Sequence, residues 1–104
     1  MFACITPALV IGAFAERLKF KAFTDFIVLW ATLVYAPIAH WVWGWLKEMG
    51  ALDFAEGAVV HVNAGLAALA AAILVGRHRG YSMVPMIPHN LTYIVLSTAL
   101  LWFG

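Results

Sequence analysis

Apolar residues run almost unbroken through residues 1–15, 26–46, 57–76 and 80–104, and charged side chains are confined to the short segments between these runs. The third run matches the roughly 20 residues a helix needs to cross the ~30 Å hydrocarbon core of a bilayer. Amphipathic periodicity is weak in all four runs, so no polar face is left to meet water. That argues against the alternative of a soluble protein with buried helices. Strands fit less well still. The alanine-rich segment 67–72 favours helix, and strands of a membrane barrel should alternate polar with apolar residues. The pattern therefore predicts an all-α fold, a polytopic transmembrane helix bundle. Its expected parts are a partial span at about 1–15, a span at about 24–43, a connector at about 44–53, a span at about 54–76, a connector at about 77–88 and a partial span at about 89–104.

Composition agrees: 65% of residues are hydrophobic and 11% charged, where soluble domains have roughly half and a quarter. The placement of charge adds sidedness. Arg17, Lys19 and Lys21 lie between the first two runs, and Arg77 and Arg79 between the last two, whereas the middle connector sets Lys47 against Glu48, Asp53 and Glu56. The positive-inside rule puts the first and third connectors in the cytoplasm. The 44–53 connector then faces outside, and Trp41, Trp43 and Trp45 mark the outer interface. A lone Cys4 excludes an internal disulfide. The first run is too short to cross alone and carries neither a basic leader nor a small-residue cleavage pattern. The last run stops while still apolar. The expectation is an internal segment of a larger protein.

Chemistry concentrates in the third run, where His61 is the only ionisable residue. An imidazole inside a membrane segment is costly and points to function. Asp53 and Glu56 stand at the head of that run in a capping arrangement, and a carboxylate there would also attract a cation. If helical from Asp53, eight residues place His61 about 12 Å deeper. Ala64, Ala68, Ala72 and Gly76 form a ridge of small residues that lets helices approach closely. Gly57 and Gly65, four residues either side of His61, either serve such packing or leave room beside the imidazole. His40 reads as an interfacial or packing residue, His78 as a solvated one, and His89 as part of the start of the last helix. Pro7 and Pro37 are positions where the spans can bend.

Several spaced motifs resemble one family in order along the whole chain. They are Ile5-Thr6-Pro7-Ala8-Leu9 with Gly12-Ala13-Phe14-Ala15-Glu16-Arg17, Ala39-His40-Trp41-Val42-Trp43-Gly44, Gly50-Ala51-Leu52-Asp53-Phe54-Ala55, Val59-Val60-His61-Val62-Asn63-Ala64-Gly65, and Pro88-His89-Asn90-Leu91. The family is that of ammonium transporters, methylammonium permeases and Rhesus proteins. The resemblance implies an eleven-helix, homotrimeric, channel-like transporter of ammonium or ammonia in the cell membrane, the inner membrane in a Gram-negative cell. This chain would carry its third span in part, its fourth and fifth, and its sixth in part. By resemblance, Trp43 is the aromatic of the outer ammonium recruitment site, Asp53 the carboxylate supporting it, Phe2 the outer of two gate phenylalanines and His61 the first of two pore histidines. The second histidine and second gate phenylalanine belong to later parts of such a chain. The implied partners are the substrate, the lipid bilayer and a cytoplasmic regulatory protein, with no nucleic acid, cofactor, metal or enzymatic activity. Two departures lie near the recruitment site: residues 44–49 are shorter and less glycine-rich than the family's usual loop, and Glu56 stands where glycine is usual.

The residues suit that chemistry. A small cation is attracted to an indole face by about 0.5–2 kcal/mol, but potassium is attracted as well, so Trp43 alone does not select. An apolar passage adds selectivity, because burial favours the neutral form of a base and ammonium can surrender its proton. His61 can accept and pass that proton. Two rival readings are a membrane cytochrome with His40 and His61 as haem ligands, disfavoured by their different depths, and an ammonium sensor that keeps the same fold.

Overall fold

The computed structural model describes residues 1–85 and 87–103. Met86, in the expected 77–88 connector, and Gly104, at the end of the expected last span, lie outside the described residues. Helix α1 covers Phe2–Ala13, α2 Phe20–Glu48, α3 Gly57–Val75 and α4 Leu91–Phe103. The fold is all-α, with no strand among the described residues. Helices α2 and α3 are long and apolar enough to cross a membrane. The 19 residues of α3 rise roughly 28 Å at the helical repeat.

Helix α2 continues through Pro37, which donates no N–H and crowds the carbonyl four residues back. The chain accommodates it by widening into a π-turn over Ala31–Tyr35, directly ahead of the proline. Its threonine hydroxyls are satisfied within the helix: Thr24 donates to the Phe20 carbonyl at 3.0 Å and Thr32 to that of Val28 at 2.8 Å. Regular helix ends at Trp43, because Gly44 departs to φ −100°, ψ −115° before the short helix Trp45–Glu48. Any Cβ at Gly44 would collide with the His40 carbonyl oxygen.

Packing involves α1, α2 and α3. Trp30, Tyr35, Val59 and Val60 form one buried cluster, and Val10, Phe14 and Ala64 the other, with Phe26 and Ala67 packed against both. Phe26 meets Phe14 edge-on at 5.5 Å and stacks on Trp30 at 6.5 Å. Such aromatic pairs add about 0.5–1.5 kcal/mol to the area they bury.

The small-residue ridge of α3 packs as its composition suggests but along a shifted line. Ala64 and Ala68 pack against α1, and Ala67, Ala71 and Val75 complete the contact in place of Ala72 and Gly76. A strict four-residue repeat drifts off a helix that turns every 3.6 residues. Helix α4 is exposed throughout Leu91–Phe103. Its first turn is capped by Asn90, whose Oδ1 accepts the Tyr93 N–H at 3.2 Å, so the capping side chain is Asn90 and not His89.

Candidate functional site

Asp53 lies outside α3 and is tied to its first turn. Its Oδ1 accepts the Ala58 N–H at 3.2 Å and its Oδ2 accepts the Val59 N–H at 3.0 Å. Those amides have no partner within the helix and carry the positive end of its dipole, so an ionised carboxylate is stabilised there. The sequence places this cap one turn too early. The helix begins at Gly57, so the carboxylate reaches back over the residues between to amides five and six positions on.

Glu56 does not complete a capping box. It adopts a left-handed conformation, φ 58° and ψ 26°, and its carbonyl accepts both the Val60 N–H at 3.0 Å and the His61 N–H at 3.2 Å. That paired acceptance opens the π-turn Gly57–Val62. A left-handed backbone costs a side chain with a Cβ about 1 kcal/mol. Glu56→Gly is therefore expected to raise the melting temperature of the purified full-length protein by a few degrees. An unchanged or lower value would mean that the Glu56 side chain offsets the strain.

His61 sits within that π-turn and is exposed, as are Val62, Gly65 and Leu66, whereas Val59, Val60, Asn63 and Ala64 face the core. Only Gly57–His61 are helical on the way down from Asp53, so helical rise contributes about 6 Å to its depth rather than 12 Å. A Cβ at Gly65 would meet nothing within 4 Å, and one at Gly57 would make an ordinary contact at 3.6 Å with Asp53 Oδ1. Neither glycine is demanded by packing among the described residues. The space beside the imidazole is open.

Trp43 and Phe2 come together at the same end of the bundle. Their ring centroids are 5.9 Å apart with planes tilted by 58°. Trp43 keeps 37% of its surface exposed. It lines a cavity of about 70 Å³ with Val42, Lys47, Ala51, Leu52, Asp53 and Phe54. An indole and a carboxylate thus share one hollow, a setting that favours a small cation. His61 is not part of this lining.

In the sequence Lys47 stands only as a connector charge. It enters the hollow from the short helix Trp45–Glu48, which the break at Gly44 sets apart from the helix that carries Trp43. Its ammonium raises the cost of a second cation nearby. No helical spacing carries across the Gly44 break, so the sequence held no signal for it.

The Ammonium Transporter Family profile matches residues 1–104. The chain belongs to the Ammonium Transporter Family. It is 53% identical over 105 residues to the ammonium transporter of Bacillus subtilis, covering 99% of this chain and 26% of that protein. It is 48% identical over 106 residues to ammonium transporter Amt1 of Archaeoglobus fulgidus, covering 100% of this chain and 27% of that one. Against ammonium transporter 1 of Schizosaccharomyces pombe it is 47% identical over 107 residues, covering 100% of this chain and 22% of the relative. The chain spans about a quarter of the length of the curated relatives it matches. No solved structure matches it. As a member of the ammonium transporter family it is a membrane protein, and α2 and α3 are the two helices among the described residues that are long and apolar enough to span a bilayer.

Proposed function

We propose that this chain is the segment of a homotrimeric ammonium transporter that recruits the cation at the outer face and begins its deprotonation. The observation that carries this reading is the convergence of Phe2, Trp43 and Asp53 at one end of the bundle, at the head of the helix that bears His61. Ammonium would rest on the Trp43 face, held by cation–π attraction of about 0.5–2 kcal/mol. The Asp53 carboxylate supplies negative potential while its oxygens hold the first turn of α3 in place. Phe2 beside Trp43 would close the hollow toward the apolar interior.

Past that ring a bare cation meets low dielectric and neutral ammonia is favoured. His61 would take the proton, since imidazole both accepts and donates near neutral pH. The open face around Gly65 leaves space for a second imidazole from another helix to complete the relay. The test is ammonium-evoked current across a membrane holding the full-length protein, compared with His61→Leu at matched surface expression. The expected result is a fall in ammonium current of about tenfold or more, in keeping with the loss of an acid–base group. Undiminished and equally selective current would refute the relay role.

A further inference from the structure

Lys47 is held at the hollow by the backbone that carries it. The helical turn Trp45–Glu48 is closed by two hydrogen bonds: the Ala51 N–H donates to the Leu46 carbonyl at 3.0 Å, and the Gly50 N–H to the Lys47 carbonyl at 3.0 Å. Gly50, at φ 98°, supplies the left-handed residue of this termination. At the other end Gly44 makes the break from the helix of Trp43, where a Cβ would strike the His40 carbonyl oxygen. Two glycines therefore fix where the stem of Lys47 begins, in the lining it shares with Trp43, Asp53 and Phe54.

The hollow is small, about 70 Å³, with room for only a few groups the size of water. Among the described residues its lining holds one carboxylate, Asp53, and one cation, Lys47. Each Asp53 oxygen already accepts one amide of α3, from Ala58 or Val59. Lysine ends in a primary ammonium with one positive charge and three N–H donors, the chemical class of the substrate proposed for this hollow. The indole face and the negative potential offered to free ammonium are offered to Lys47 as well. We propose that Lys47 is an affinity-setting residue, a tethered ammonium that competes with free ammonium for the hollow.

The competition rests on the recruitment role proposed for Trp43 and Asp53, and makes half-saturation depend on displacing Lys47 as well as on their attraction. Lys47 is exposed, so its flexible stem can carry the charge back into water when ammonium enters. His61 lies outside the lining. The competition therefore acts on entry and not on proton transfer.

The test is ammonium-evoked current of the full-length protein over a range of ammonium concentrations, at matched surface expression. Lys47→Met keeps the stem and removes its charge and donors. It is expected to lower the half-saturation concentration about fivefold, with maximal current within about twofold of the parent. Lys47→Gln should act in the same direction, whereas Lys47→Arg, which keeps the charge, should retain the parental value. Trp43→Leu in the same assay reports on the hollow itself and should raise half-saturation severalfold. Unchanged half-saturation in Lys47→Met beside a weakened Trp43→Leu would overturn the competition alone. Unchanged values in both would overturn the recruitment role and the competition together. A fall in Lys47→Met with Trp43→Leu unchanged would place the effect of Lys47 outside the hollow, and an equal fall in Lys47→Arg would remove its charge as the cause. Either result overturns the competition, as does a loss of maximal current with no change in half-saturation, which would mark Lys47 as structural.

Discussion

Asp53→Ala is expected to destabilise the protein by about 2–3 kcal/mol, because it strips two amides at the head of α3 of their acceptor at once. The carboxylate spans Ala58 N–H and Val59 N–H with separate oxygens. No neighbouring side chain replaces it, since Glu56 is turned into a left-handed conformation and caps nothing. The measurement is thermal unfolding of the purified full-length protein in detergent. Asp53→Asn separates the two roles of this residue. An amide retains one acceptor oxygen but no charge, so it should recover about half of the lost stability. If the charge also holds ammonium in the hollow beside Trp43, Asp53→Asn will still show weakened half-saturation for ammonium. A melting temperature unchanged in Asp53→Ala would remove the cap from the account.

Arg17→Met is expected to cost about 3 kcal/mol, since a charge-assisted hydrogen bond contributes roughly 1.5–3 kcal/mol and this guanidinium makes two. Both acceptors are carbonyls at helix C-termini, Ala13 of α1 and Gly76 just past α3, where a cation also complements the dipole. Methionine keeps the length and apolar stem of the side chain while removing every donor. Arg17→Lys should restore about half of the loss, because one ammonium on a flexible stem does not reproduce a rigid fork. Hydrogen exchange gives the local reading: amides from Gly76 to Tyr81 should exchange faster in Arg17→Met than in the parent. Exchange confined to the 14–19 turn would show that Arg17 braces α1 alone.

Much of the fold is legible in the chain because lipid imposes a simple condition. Backbone groups cannot be satisfied by water in hydrocarbon, so long uncharged runs must be helical. That reasoning suffices for helices around His61 and around Trp30. It does not reach the π-turns at Ala31–Tyr35 and Gly57–Val62. These arise where Pro37 or the left-handed Glu56 forces the hydrogen-bond register to slip by one residue, and a periodicity count averages over such a slip.

The candidate site divides in the same way. Asp53 is recognisable as a capping acid from its place before an apolar run, yet the amides it serves depend on where the helix begins. The ridge residues Ala64 and Ala68 are visible as small positions, while Ala71 and Val75 enter the contact only because the helix rotates relative to a four-residue repeat. Lys47 joins the hollow through a short helix that a loop-like sequence hides.

The chain by itself determined the composition of the helices and the motifs that mark the ammonium transporter family. Each of these is a local or additive property of residues read in order. Tertiary structure alone decided that Phe2 meets Trp43, that Trp43 and Asp53 share a hollow, and that Arg17 reaches Gly76 from 59 residues away. Those meetings depend on the phase of each helix about its own axis. One slipped hydrogen bond rotates everything beyond it, so only the packed structure carries that information.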